Sequence, residues 1–162
     1  MKLEKVIHPI EPIYDENSRI LILGSFPSVK SREEMFFYGH PQNRFWRVTS
    51  TVFEKEIPRT IEEKRRFLLE CKIAVWDVIA SCEIAGSSDS SIKDVIPNDI
   101  SKILESSPIE RIFVNGKTAE KYYNKYIKEK VGRGAIVLPS TSPANAAKTI
   151  QKLIEEWQII KE

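Results

Sequence analysis

Three polar stretches, each following an apolar run, carry most of the chemistry the sequence offers. They are Gly24-Ser25-Phe26-Pro27-Ser28 after Leu21-Ile22-Leu23, Asp77 after Ile73-Ala74-Val75-Trp76, and Ser140-Thr141-Ser142-Pro143-Ala144-Asn145 after Leu138-Pro139. Glycine permits close backbone approach and serine hydroxyls donate to phosphate, so Gly24, Ser25 and Ser28 suit an anionic ligand or a plain strand-to-helix turn. A carboxylate such as Asp77, closing a buried run, either caps a turn or reads or polarises a ligand. The hydroxyl run Ser140, Thr141 and Ser142 exceeds the needs of one helix cap, and the amides of a helix starting there would favour phosphate. A fourth stretch, Met35 to Val48, reads MFFYGHPQNRFWRV. Phe45 and Trp46 suit a core. Phe37 and Tyr38 border a Gly- and Pro-broken loop, where aromatics suit stacking on a base, worth about 1–3 kcal/mol per base. His40 and Asn43 stand beside them, as surface and helix-cap residues or as catalysts.

Elements that could position these residues follow from the pattern between them. Four short apolar runs, Ile20 to Leu23, Ile73 to Trp76, Arg111 to Val114 and Ala135 to Leu138, alternate with segments of helical character, as in a parallel α/β sheet. Nearly continuous apolar strands imply helices on both faces. In such sheets ligands bind beyond the carboxyl ends of the strands. The polar stretches, with Asn115-Gly116 after the third run, would converge there. Thr60 and Glu63 form a capping-box pattern ahead of Phe67 and Leu68. Helices are also expected from Asn43 to Phe53, after Pro97-Asn98-Asp99 and from Thr118 to Lys130. A last helix is expected with Ser142 as N-cap and Pro143 at its first position, burying Ala147, Ile150, Leu153, Ile154 and Trp157. Ser81 to Ser91 reads as one long polar loop.

The chain of 162 residues, 41% hydrophobic, is expected to form a single domain, residues 1–162, with an extended N-terminal segment over 1–18. Its formal charge is +2, from 25 Lys plus Arg against 23 Asp plus Glu, so any attraction to nucleic acid rests on placement rather than excess charge. Cys71 and Cys82 read as reduced thiols, and with only His8 and His40 beside them they offer no zinc-ligand spacing. No P-loop, G-x-G-x-x-G or G-x-S-x-G occurs. The chemistry is therefore expected to use neither metal nor cofactor. No apolar run resembles a signal peptide or a membrane span, which points to a cytoplasmic protein.

In order and spacing, LILGSFPSVKS (21–31), FYGHPQNRFWRV (37–48), VWDVIASCEIAGSSDSSI (75–92), FVNGKTA (113–119) and LPSTSPANA (138–146) together resemble the uracil-DNA glycosylase superfamily, most closely its hypoxanthine-DNA (deoxyinosine) glycosylase branch. HPQNRFW is also similar to a loop of the mismatch-specific uracil glycosylases. The resemblance implies a three-layer α/β/α sandwich with a central four-stranded parallel sheet. It implies a monomeric, monofunctional enzyme that flips a deaminated base out of DNA and hydrolyses its N-glycosidic bond.

The superfamily's first motif typically places a water-positioning Asp or Asn where this chain has Phe26, and its last motif often carries a His where this chain has Ser140. The hypoxanthine branch shares both departures, and there the resemblance points to Asn43, with His40 as the alternative. By the same resemblance Asp77 occupies the position that reads the base, and it could accept from the N1–H of hypoxanthine. Gly24, Ser25, Phe26, Phe37, Tyr38 and Asn115 would line the base pocket. Pro27, Ser28, Ser140, Thr141, Ser142, Asn145 and Lys148 would hold DNA phosphates, helped by Lys30 or Arg44. Ala144 and Asn145 stand where a wedge residue is expected. Uracil or mismatch glycosylase activity, a nucleotide-binding small-molecule enzyme and a non-catalytic DNA-binding module are the competing readings.

Overall fold

The computed structural model describes residues 2–162. In chain order the strands are β1 (Glu4–Ile7), β2 (Ile20–Gly24), β3 (Ile73–Asp77), β4 (Ile79–Ile84), β5 (Lys93–Pro97), β6 (Arg111–Asn115) and β7 (Ile136–Leu138). The helices are α1 (Val29–Glu34), α2 (Phe45–Val52), α3 (Ile61–Glu70), α4 (Ser101–Ser106), α5 (Lys117–Tyr126), α6 (Lys128–Val131) and α7 (Ile150–Trp157). The four apolar runs pair in parallel in the order β3-β2-β6-β7.

The two-residue period of a strand sorts the core into two halves. Ile20, Ile22, Ile73, Val75 and Phe113 pack with Phe45 and Val48 of α2, Phe67 and Leu68 of α3, and Leu153 and Trp157 of α7. Leu21, Leu23, Ala74, Ile112 and Val114 face the other way, onto Ile103 of α4 and Ala119, Tyr122 and Tyr123 of α5. The result is the α/β/α sandwich that the apolar runs imply. The capping box at α3 forms as its sequence demands: Thr60 accepts from the Glu63 amide and Glu63 reaches back to the Thr60 N–H.

Two expectations need correction. The stretch read as a long polar loop opens with the last four residues of β4, which joins β1 and β5 in a second, antiparallel sheet ordered β1-β4-β5. Register shifts at Ile79/Ser81 and Ser81/Glu83 break the polar–apolar alternation that would have marked this strand. What remains of the loop runs from residue 85 to 92 around a short 3-10 turn, Asp89–Ser91. The last helix begins at Ile150, capped by Thr149, whose hydroxyl accepts from the Lys152 amide. Ser142 instead closes a turn, accepting from Ala144 N–H at its side chain and from Asn145 N–H at its carbonyl, and Ala147 is exposed. The cause is Arg44, whose guanidinium donates to the carbonyls of Ser142, Asn145 and Lys148. A helix from Ser142 would have turned those carbonyls along its own axis.

Candidate active site

In this topology β2 lies centrally and the chain leaves it first to one side, for β3, and then to the other, for β6 and β7. That reversal opens a crevice beyond the strand ends. A cavity of about 540 Å³ lies there, within the range of small-ligand sites. Gly24 closes β2, Asp77 closes β3, Asn115 closes β6, and Ser140, Thr141 and Ser142 follow β7; all line the cavity.

The floor is built around Asp77. Its side chain is 5% exposed and its Oδ2 lies 2.8 Å from Nε2 of His8, itself 3% exposed. The Ile10 amide donates to His8 Nδ1, so the proton of the neutral ring resides on Nε2 and is given to the carboxylate. Phe26, Phe37 and Trp76 surround the imidazole, the first and last edge-on. Backbone pairing holds the sheet end in place: Gly24 is the register partner of Asp77, and Val78 N–H donates to the Gly24 carbonyl. A Cβ at Gly24 would overlap Asp77 Oδ1, so only glycine lets this carboxylate lie against β2. The second oxygen, Oδ1, is thereby left at the cavity end of the strand pair.

Sequence reasoning missed His8. The signal was slight: a His-Pro step closing a short β-prone run, 69 residues from its carboxylate partner. It also missed Asp89 at the rim, where Ser25 Oγ donates to Asp89 Oδ1 at 3.2 Å. Asp89 is exposed at the rim, yet the protein atoms crowded around it raise its pKa above the ordinary carboxylate value and the charge of Asp77 raises it further, while the Ser25 and Thr118 hydroxyls oppose the shift.

The aromatic loop forms one wall. Tyr38 adopts a left-handed backbone (φ +52°), and its ring stacks on Phe45 at 3.9 Å and 9° between planes. The Trp46 indole N–H donates to its carbonyl. One face of Tyr38 is therefore occupied by protein, and Phe37 is fully buried although it reaches the cavity. Burial raises the pKa of the Tyr38 hydroxyl strongly and the nearby Asp77 adds to the shift, while the Asn115 side chain close by opposes it. Asn43 lines the cavity and closes the turn ahead of α2, whose N-cap is Arg44: its Oδ1 accepts from Phe45 N–H at 2.9 Å, a bond that does not engage its NH₂. His40 also lines the cavity, its Nδ1 accepting from the Gln42 amide.

The remaining expected residues divide by placement. Gly24, Ser25, Phe26, Pro27, Ser28, Ser140 and Ser142 all reach the cavity. The hydroxyls of Ser28, Ser140 and Ser142 accept from the amides of Ser31, Ser142 and Ala144 respectively, an arrangement that fixes each oxygen. Thr141 and Asn115 line the cavity but are buried and clamp each other: Asn115 Nδ2 donates to Thr141 Oγ1 and Thr141 N–H donates to Asn115 Oδ1. That clamp engages the polar atoms expected to face base or phosphate. Asn145 and Lys148 do not line the cavity. The Asn145 amide donates to the Ser140 carbonyl, and the Lys148 ammonium pairs with Glu156 at 2.7 Å. Arg44 is committed to loop carbonyls, and exposed Lys30 lies 3.8 Å from Glu34. Among the described residues, no group of three or more His, Cys, Asp or Glu side chains is placed to hold a metal ion. Nor is any helix of those residues long and apolar enough to cross a membrane.

Comparison with known proteins agrees with this site in both sequence and shape. Two curated relatives, each named "Hypoxanthine DNA glycosylase", come from Methanosarcina species. The protein from Methanosarcina acetivorans is 35% identical over 150 residues, covering 91% of this chain and 93% of the relative. That from Methanosarcina barkeri is 34% identical over 137 residues, covering 83% and 85%. The solution NMR structure of a candidate uracil DNA glycosylase from Methanosarcina acetivorans superposes with a TM-score of 0.79 at 31% identity, covering 97% of this chain and 100% of that one. The family model described as "Uracil DNA glycosylase superfamily" matches residues 11–161, a span that holds every strand of the parallel sheet and all of the cavity lining, and the chain belongs to that superfamily.

Proposed function

We propose that this protein is a DNA glycosylase that hydrolyses the N-glycosidic bond of deoxyinosine, releasing hypoxanthine and leaving an abasic site. The observation that carries the reading is the buried Asp77 carboxylate, held on one oxygen by His8 and offering the other to the cavity. Hypoxanthine differs from adenine in carrying a proton on N1, and a fixed carboxylate oxygen accepts that proton's hydrogen bond. Adenine would present a lone pair to the same oxygen and be repelled. The names of the two Methanosarcina relatives support the same substrate.

The reacting bond is inaccessible inside a duplex, so the nucleotide must be turned out into the cavity. As C1′–N9 breaks, the electron pair moves to the purine and the sugar becomes cation-like. The free amide N–H groups of Asn43 and the backbone amides of the Gly24 to Phe26 turn donate to the developing negative charge on the base. Water adds its hydroxyl to C1′, and its proton ends on the departing purine. The Ser140 and Ser142 hydroxyls, each fixed by a backbone amide, direct their own O–H toward the flanking phosphates, whereas the Ser28 O–H is given to Ser31 Oγ and contributes only at the rim. The enzyme acts as a monomer on damaged DNA in this reading, since hydrolysis of one glycosidic bond asks for no residue of a second subunit.

Uracil offers N3–H to the same carboxylate, which makes deoxyuridine the competing substrate. The test is incubation of the protein, in buffer with chelator, with duplexes carrying a single deoxyinosine, deoxyuridine, deoxyxanthosine or normal nucleotide, followed by alkaline cleavage of abasic sites. Strand breakage at deoxyinosine is expected. Breakage at deoxyuridine alone would transfer the assignment to uracil, and no breakage in any duplex would end the reading.

A further inference from the structure

Every buried side-chain nitrogen and oxygen among the described residues finds a hydrogen-bond partner except one, the hydroxyl of Tyr38. An unpaired buried hydroxyl is costly, and such groups in folded proteins call for a specific explanation. Phenylalanine would make the same stack on Phe45 without the cost, so packing does not account for the oxygen.

Its position does. A Cβ built on Gly24 would meet two atoms beyond the glycine: Asp77 Oδ1, and Tyr38 Oη at 3.2 Å. The hydroxyl and the free carboxylate oxygen therefore converge on the same bare Cα at the floor of the cavity. One is an obligate acceptor when ionised. The other keeps its proton, because burial and the Asp77 charge disfavour the phenolate more than the nearby Asn115 side chain, which is not at hydrogen-bonding geometry, favours it.

We propose that Tyr38 reads the base by donating its hydroxyl hydrogen bond to the C6 carbonyl oxygen of hypoxanthine, beside Asp77 accepting from N1–H. An acceptor and a donor placed side by side match a lactam edge, N–H next to C=O. Adenine carries the reverse pair, a lone pair on N1 next to an amino group: the lone pair is rejected by the acceptor-only carboxylate, and the amino group cannot take the proton that Tyr38 offers. The inference rests on the deoxyinosine reading above and changes the role expected of Tyr38, from a stacking platform to a hydrogen-bonding reader whose aromatic face is already occupied by Phe45.

Tyr38→Phe removes the oxygen alone. In single-turnover excision with enzyme in excess, the variant should lose about 10- to 100-fold in rate on deoxyinosine duplex, the range of one lost hydrogen bond to the base. Its melting temperature should equal or exceed that of the unsubstituted protein, because the free enzyme loses only an unpaired hydroxyl. Deoxy-6-thioinosine keeps N1–H for Asp77 and carries at C6 a sulfur that accepts hydrogen bonds weakly, so the loss on that substrate should be several-fold smaller. An unchanged deoxyinosine rate would overturn the inference, as would an equal loss on both substrates with a lowered melting temperature. Failure of the unsubstituted protein to excise hypoxanthine at all overturns the functional reading and this inference with it, whereas normal excision with an unaffected variant overturns the inference alone.

Discussion

His8 Nε2 donates to Asp77 Oδ2 across 2.8 Å, joining the end of the first strand to the end of the third. Both groups are nearly sealed from solvent, and the Ile10 amide fixes which ring nitrogen holds the proton. The carboxylate consequently has one oxygen committed and one presented, and the direction of the hydrogen bond determines what may replace it.

An Asp77→Asn substitution makes this concrete. His8 has only a donor to offer at Nε2, so the new amide must turn its oxygen toward His8 and its NH₂ toward the cavity. The pocket then presents a donor where N1–H of hypoxanthine also presents a donor. Excision of hypoxanthine should fall at least about 100-fold, because a buried polar group is left facing its like. The side chain keeps its volume and its bond to His8, so the melting temperature should move little. A deoxyinosine rate within a few-fold of normal would remove Asp77 from base reading. His8→Ala should act differently, lowering stability by about 1–3 kcal/mol as the buried carboxylate loses its donor.

For Asn43 the two ends of the amide can be tested separately. Its oxygen serves the fold by accepting from Phe45 N–H at the start of α2, and its NH₂, not engaged by that bond, belongs to a residue that lines the cavity. Asn43→Asp keeps an acceptor for Phe45 and exchanges the free donor for a negative charge. Folding, followed by circular dichroism and melting temperature, should be preserved, while the deoxyinosine rate falls about 10²- to 10³-fold, the loss typical of one donor to a developing anion. Asn43→Ala should lose activity and, in addition, about 1 kcal/mol of stability with the bond to Phe45 N–H. Equal activity of the Asp variant and the unsubstituted protein would leave Asn43 with the turn-closing role only.

The parallel sheet was readable because Leu21-Ile22-Leu23 and Val75-Trp76 are apolar on both faces and end in abrupt polar turns, a local signature of buried strands. For the same reason Gly24, Asp77 and Ser140 could be placed at one crevice before any coordinates. β4 was not readable, since its bulged pairing puts Ser81 inside and scrambles the alternation. The start of α7 was misplaced because Ser142-Pro143 carries helix-start chemistry, yet Arg44, almost a hundred residues away in sequence, takes the carbonyls on which that helix would depend (|i−j| = 98 for Ser142). His8 and Tyr38 show the same limit at the site. One is placed by a carboxylate partner on another strand, and the ring of the other, expected to be free for stacking on a base, already has a face covered by Phe45.

Asp89 gives a prediction in pH. Partial desolvation at the rim raises its pKa in the folded protein although the side chain stays exposed, Asp77 adds to the shift, and the unfolded chain retains the ordinary value of about 4, so the effect on stability is small. Between the ordinary value and the raised one the folded state holds more protons than the unfolded state. Stability therefore falls as pH rises through that window and stays lower above it, with the carboxylate charged among unfavourable surroundings. Asp89→Asn preserves an oxygen to accept from Ser25 and cannot ionise. The variant and the unsubstituted protein should melt at nearly the same temperature below about pH 4, where Asp89 is neutral in both states. At neutral pH the variant should melt higher, and the gap between the two should open across the same interval in which the unsubstituted protein loses stability. A gap that is constant from acid to neutral pH would mean that the amide changes packing at the rim, and that the charge of Asp89 carries no cost there. Salt offers a second check, since the part of the cost owed to Asp77 is a charge–charge repulsion and should shrink as ionic strength rises, narrowing the gap at neutral pH.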